Sequence, residues 1–280
     1  MTAFSRSRNG RRPRAAAGFS LVELAIGIAI IALLLGSLLV PLQSQVESRK
    51  FADTQKILDN AREALLGYAA ANGYFPCPAD YAGGSTGAEA TGSTHTAGSG
   101  ACPSNVTGGV TPTAYIGYLP ATTLGFTPID ANGYAVDAWG GTGTQNRIRY
   151  AVSATTVNSV SRPFTNSSGM RSALMPNILG ATLLSVCSTA AGASNTACAS
   201  AATTLTSNAI AVIWSLGANA ATTGGTSTDE ATNAETLANA NRVFVMHDPS
   251  KVIGTEFDDI VVWISTPILF SRLIAAGQLP

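Results

Sequence analysis

The sequence predicts an α+β protein: a long N-terminal α-helix, apolar in its first half and amphipathic in its second, packed on a small antiparallel β-sheet head with long Gly/Thr-rich loops. Three observations carry that prediction. An uncharged apolar run from Leu24 to Leu42 leads directly into an apolar stripe at helical spacing. Short β-branched and aromatic runs recur through the second half of the chain. The stretches between them are rich in Gly, Ser and Thr, which supply turns rather than core.

The apolar run reads LAIGIAIIALLLGSLLVPL, with Ser37 as its one polar side chain. Nineteen helical residues rise about 1.5 Å each and match a hydrocarbon core of roughly 30 Å. Arg6, Arg8, Arg11, Arg12 and Arg14 precede it and no acid comes before Glu23, so the positive-inside rule keeps the N-terminus cytoplasmic. A secretory signal peptide would carry a shorter apolar region and a small-x-small cleavage site, which the following PLQSQVESRK lacks. Arg11-Arg12, followed by Pro13, is a poor twin-arginine signal. A plain signal anchor fits the hydropathy but leaves Glu23 unexplained, because a carboxylate entering the membrane costs about 3 kcal/mol unless it is neutralised or paired.

Beyond Pro41 the helix pattern continues. Ile57, Leu58, Ala61, Ala64, Leu65, Tyr68 and Ala69 form one stripe, while Glu47, Arg49, Lys50, Asp53, Lys56, Asp59, Arg62 and Glu63 fill a solvated face of alternating sign. Gly73 supplies a C-cap and Pro76 and Pro78 forbid resumption. One helix from Phe19 to Ala71 follows, about 80 Å long, and its apolar half needs lipid or other copies of itself.

In the head, residues 82–112 and about 186–240 read as flexible Gly/Ser/Thr loops. Arg147–Ser153 alternates Ile148, Tyr150 and Val152 inward as a half-buried strand, and Ala209–Ser215, Arg242–His247 and Ile260–Ser265 are further strands. Thr266-Pro267 opens a last helix, Ile268–Ala276, closed by Gly277.

Composition excludes several functions. Charged residues make up 11% of the 280, and the 16 basic residues balance the 16 acidic ones. Without the five N-terminal arginines 11 basic residues face 16 acids, so no nucleic-acid partner is predicted, no net positive charge being left to displace phosphate counterions. His95 lies in a Gly/Thr loop and His247 follows a strand, a position usual for a polar surface residue; neither has a nucleophile or acid at motif spacing, and no phosphate-loop or zinc-protease pattern occurs. No enzyme is expected. Cys77, Cys102, Cys187 and Cys198 in an exported chain predict two disulfides with three possible connectivities. The sequential pairs are preferred because each would staple one low-complexity loop; a zinc site is the rival, but no C-x-x-C or nearby His pair exists.

Behind its basic leader, the segment GFSLVEL from Gly18 to Leu24 resembles the cleavage and methylation site of type IV prepilins and type II secretion pseudopilins. The resemblance implies that a prepilin peptidase cuts after Gly18 and methylates Phe19. It also implies that Glu23 pairs with the N-terminal amine of a neighbouring subunit during filament assembly. Pro41 lies one residue later than the helix-kinking proline of many pilins. The blocks YAAANGYFPCPAD (68–80), VDAWGGTGTQNRIRYAV (136–152) and FDDIVVWIS (257–265) are similar to pilin-like proteins of the secretion class. The implied organisation is a leader (1–18), a transmembrane and assembly helix (19–42), an amphipathic continuation (43–72) and a periplasmic or extracellular head (73–280). The implied partners are prepilin peptidase, other pilin or pseudopilin subunits and the bacterial inner membrane, crossed once. The bulky, loop-rich head fits a minor subunit.

In major pseudopilins a Ser-Leu-Gly-Ala-Asp segment and a later acidic segment before a strand together hold Ca²⁺. The resemblance places that role on Leu216, Asn219, Asp258 and Asp259, hard oxygen donors of the kind Ca²⁺ takes. Asn219 stands where the family has Asp, and about forty residues separate the two segments. The plainer reading of Asp258-Asp259 is an exposed acidic turn ahead of a strand. Two functions therefore stand: a filament subunit assembling through its N-terminal helix, or a membrane-anchored periplasmic binding or adhesive module for which the helix is only a tether. A tether needs neither a cleavage site at Gly18 nor a buried acid at Glu23.

Overall fold

The computed structural model describes residues 20–80, 86–90, 97–103, 113–140, 143–220, 227–234 and 242–279, with the backbone alone for 35–42. The expected leader, with Gly18 and Phe19, lies outside the described residues, as do His95 and parts of the 82–112 stretch. The chain divides into two compact units, residues 1–48 and 49–280.

Helix α1 (Leu21–Asn72) runs through Pro41 without interruption. Within the first unit its apolar side chains stand exposed on every side: Leu21, Val22, Leu24, Ile26, Ile28, Ile30, Ile31, Leu33 and Leu34. No helix is long and apolar enough to cross a membrane among the residues described with side chains, which follow the Leu24–Leu42 run only as far as Leu34.

The head unit begins inside α1. Leu58, Ala61, Leu65, Leu66 and Ala69 are buried at spacings of three, four, one and three, the stripe expected of an amphipathic helix. Leu66 joins it, whereas Ile57, Ala64 and Tyr68 sit at its margin. Gly73 closes the helix at φ +80°, a left-handed conformation open to glycine, with its amide on the Ala69 carbonyl at 2.8 Å. Glu63, read from the sequence as purely solvated, meets Arg272 at 2.8 Å.

The stripe packs on one sheet of six strands: β1 (Ala114–Tyr118), β2 (Arg149–Ser153), β3 (Leu184–Cys187), β4 (Thr204–Ser215), β5 (Val243–Val245) and β6 (Ile260–Ser265). β4 is the organiser. Its C-terminal half pairs with β2, its N-terminal half with β3, and Ala209–Ser215 with β6, all antiparallel; β1 extends the sheet beyond β2. The expected all-antiparallel sheet is corrected at one place, since β3 and β5 are parallel. A parallel return needs a long crossover, and β4 plus the segment after it provide one.

Helices fill the gaps: α2 (Ala121–Leu124), α3 (Gly169–Ala173), α4 (Met175–Leu179), α5 (Thr228–Asn233) and α6 (Thr266–Ala275). α6 starts two residues earlier than expected, with Pro267 in its first turn and Gly277 left-handed after its end. Much of the predicted 186–240 loop is ordered structure, holding the end of β3, a 3-10 turn at Ala201–Thr203, the start of β4 and α5. The strands are also more deeply buried than alternation implied. All five residues of β2 are buried, because Tyr150 and Val152 face the helical core while Ala151 packs in a second core with Ile116, Val212, Trp214 and Phe244.

Both disulfides join the sequential pairs, Cys77–Cys102 and Cys187–Cys198, each with Cα atoms 5.6 Å apart, and no free cysteine remains among the described residues.

Candidate functional site

Two regions hold the residues singled out by the sequence. The first is the start of α1. Glu23 lies in the first turn, exposed, and its amide donates to Ser20 Oγ at 3.1 Å, a hydrogen bond of the N-cap type. A carboxylate there is favoured by the helix dipole. Ten or so residues of exposed aliphatic side chain follow it, a surface that water alone does not stabilise.

The second region is a polar cluster where β4 ends beside the segment leading into β6. Ser215, Leu216 and Gly217 turn the chain out of β4, and Asp258 Oδ2 accepts from the amides of Ala218 at 3.0 Å and Asn219 at 3.2 Å. Gly217 is required there: it is left-handed at φ +67°, and a Cβ would collide with Asp258 Oδ1 and its carbonyl. The sequence placed Leu216, Asn219, Asp258 and Asp259 together, and the fold brings both segments to one point. Asp259 serves a different partner from Asp258, its Oδ2 accepting from Asn233 Nδ2 at 2.9 Å. The exposed acidic turn is not what forms, since Asp259 is 4% exposed and Asp258 is half-buried.

Three further residues, Glu230, Asn233 and Asp137, belong to the cluster without having been expected there. Glu230, 1% exposed on α5, accepts through Oε1 from Asn219 Nδ2 at 2.8 Å and from the Asp258 amide at 3.2 Å. Asn233, one turn on, holds the Val245 backbone with its side chain, Nδ2 donating to the carbonyl and Oδ1 accepting from the amide, both at 2.8 Å, and its own backbone carbonyl accepts from Trp214 Nε1. Asp137 accepts from Ser215 Oγ at 2.6 Å and from the Trp139 amide at 3.0 Å. The signal for Glu230 was present as S-T-D-E, a helix-start pattern in which Ser227 Oγ accepts from the Glu230 amide at 3.2 Å. The Gly/Thr-rich surroundings concealed it.

Electrostatics in the cluster are strained. Burial pushes the Asp258 carboxyl up to about 6, and the neighbouring Glu230 charge adds to the rise. Asp259 is raised well above the ordinary carboxylate range, chiefly by burial. Asp137 is raised by burial against the lowering effect of Ser215. Asp258 Oδ1 is buried with no hydrogen-bond partner among the described residues. That orphaned oxygen belongs to a carboxylate whose ionised form burial disfavours. No group of three or more His, Cys, Asp or Glu side chains is arranged to hold a metal among the described residues.

His247 is not a plain surface residue. Its ring stacks on Phe257 with centroids 3.9 Å apart, and Nε2 lies 3.2 Å from Asp229 Oδ2. Asp229 also accepts from the Ala190 amide at 2.6 Å, so the pair ties α5 to the loop after β3 and to β5. The contacts are those of a structural tie.

The chain thus opens on a helix with an acid in its first turn and an exposed aliphatic surface, and carries a disulfide-bonded head with its own core. Residues 13–39 match the family model of the prokaryotic N-terminal methylation motif, the prepilin-type cleavage and methylation motif of type IV pilins and pseudopilins. The match includes Gly18, Phe19 and Glu23 and stops short of the head. That motif family is structural rather than enzymatic, and it implies in general processing by prepilin peptidase and assembly with other pilin subunits. No curated protein and no solved structure matches the chain.

Proposed function

We propose that the chain is a filament subunit, a minor pilin or pseudopilin, cut after Gly18 and assembled through α1 into a type IV pilus or type II secretion pseudopilus. Before assembly it sits in the bacterial inner membrane, crossing once through residues 19–42 with its N-terminus cytoplasmic and its head periplasmic. The observation that carries the reading is the methylation motif joined to the exposed aliphatic half of α1 with Glu23 in its first turn. In lipid, Glu23 is costly; beside the new α-amino group of Phe19 on a neighbour, in a low-dielectric helix bundle, it is compensated. Glu23→Leu therefore inserts at least as well as the natural protein but is missing from sheared filaments and cross-linked ladders, and Glu23→Asp is intermediate because its reach is shorter. Normal assembly and secretion or piliation with Glu23→Leu would favour the tethered module instead. The cluster at the end of β4 is read, within the same proposal, as a Ca²⁺ site that clamps the β4 turn to the segment entering β6.

A further inference from the structure

We propose that the head cuts its own chain at the Asp248–Pro249 peptide bond, with Asp248 as the nucleophile and His247 as the catalytic acid. Asp248-Pro249 is the one Asp-Pro sequence in the chain.

Such a bond is chemically weak for two reasons. The aspartate carboxylate reaches its own main-chain carbonyl carbon and closes a cyclic anhydride. Proline makes the bond a tertiary amide, whose nitrogen carries no hydrogen and leaves as a basic secondary amine. In most settings the bond survives, because nothing stabilises the charge that develops on the carbonyl oxygen.

Here a donor is aimed at that oxygen. His247 Nδ1 lies 2.8 Å from the Asp248 carbonyl oxygen, which belongs to the bond to Pro249. The other ring nitrogen, Nε2, lies 3.2 Å from Asp229 Oδ2 on α5. Both neighbours are acceptors, so the ring satisfies both only as the doubly protonated imidazolium. Stacking on the buried Phe257, with centroids 3.9 Å apart, fixes the plane of the ring. The chain is held on the far side of the bond as well, where Ser250 and Phe257 exchange two backbone hydrogen bonds of 2.9 Å. Asp248 itself is exposed, and its carboxylate has no hydrogen bond or ion pair among the described residues. The nucleophile is free while the carbonyl it attacks is clamped.

An oxygen of the Asp248 carboxylate attacks the carbonyl carbon, a C–O bond forms, and the N–H at His247 Nδ1 stabilises the oxyanion. The C–N bond to Pro249 then breaks; the nitrogen keeps the bonding pair and takes the His247 proton. Water opens the anhydride to two carboxylates on Asp248, returning one proton to His247 and leaving the other on the new amino terminus. Both disulfides lie ahead of the bond, so nothing covalent retains residues 249–280. β6 stays paired with β4, and Leu269, Phe270 and Leu273 of α6 stay in the core, so the cut head remains folded as two pieces.

The test incubates the full chain in detergent with protease inhibitors and follows it by denaturing gel and intact mass. A fragment beginning at Pro249 accumulates, and hydroxylamine in the incubation leaves a hydroxamate on Asp248 of the other fragment, the mark of the anhydride. The same chain unfolded in urea stays whole over that time. His247→Phe, which keeps a ring against Phe257 and loses both donors, is cut about a hundredfold more slowly or worse, the loss expected for a donor at a developing oxyanion. Asp248→Ala, at an exposed position, is not cut. A natural chain that stays whole, equal cutting in urea, or cutting of folded His247→Phe or of Asp248→Ala at the natural rate overturns the proposal. Should His247→Phe not fold, the urea comparison and Asp248→Ala decide it.

Discussion

Removing the two disulfides separately, as Cys77→Ala/Cys102→Ala and Cys187→Ala/Cys198→Ala, perturbs loops of different length in one head. The sequence separations are 25 and 11. If a bridge stabilises by limiting the unfolded chain, closing loops of those sizes contributes about 3.5 and about 2.8 kcal/mol. Alanine is the right replacement because Cys77 and Cys187 are buried, and a serine hydroxyl would add its own desolvation cost. For a head of this size each kcal/mol moves the midpoint by about 2–4 °C, so the first pair lowers it by roughly 7–14 °C and the second by roughly 6–11 °C. Circular dichroism melts of the detergent-solubilised chain read both, with unreduced, denatured protein first shown to take up no alkylating reagent. Two variants melting at the natural temperature, or a larger loss for Cys187–Cys198 than for Cys77–Cys102, would refute the loop-closure reasoning.

Leu65→Ala, in the fully buried stripe of α1, destabilises the head by about 2–5 kcal/mol in denaturant unfolding, while Ile253→Ala, 93% exposed, changes it by less than about 0.5 kcal/mol. Gly217→Ala loses at least about 1–2 kcal/mol from its left-handed backbone alone and more from the collision with Asp258, so the midpoint in urea falls while the far-ultraviolet spectrum is kept.

Much of this was legible in the sequence because it rests on local pattern. The heptad-like stripe from Leu58 to Ala69, the Gly73 stop, the runs that become β4 and β6 and the motif around Gly18 and Glu23 all declare themselves within a few residues. What was not legible depends on pairing across distance. β1 has Gly117 next to its last residue and β3 lies in a stretch rich in Ser, Thr and Ala, so neither announces itself as a strand; each is stabilised by its partner, Tyr150 opposite Gly117 and Ala209 opposite Leu184. The parallel β3–β5 pair cannot be read from alternation, which reports a face and not a direction. In the cluster, Asn219 and Asp258 were found from a resemblance, but Glu230 was missed because its neighbours in sequence are Thr, Asp and Ala on a short helix inside a Gly/Thr-rich stretch. Only the fold shows that its carboxylate reaches Asn219.

The most direct test of the account is the N-terminus of the protein extracted from membranes of cells that carry prepilin peptidase. Intact-mass and N-terminal sequence measurements find Phe19 first, with one methyl group on its nitrogen, and none of the five leader arginines. A bulky residue at Gly18 blocks that processing. A chain recovered from the same cells with Met1 and the leader still attached would contradict the claim that the motif at residues 13–39 is used.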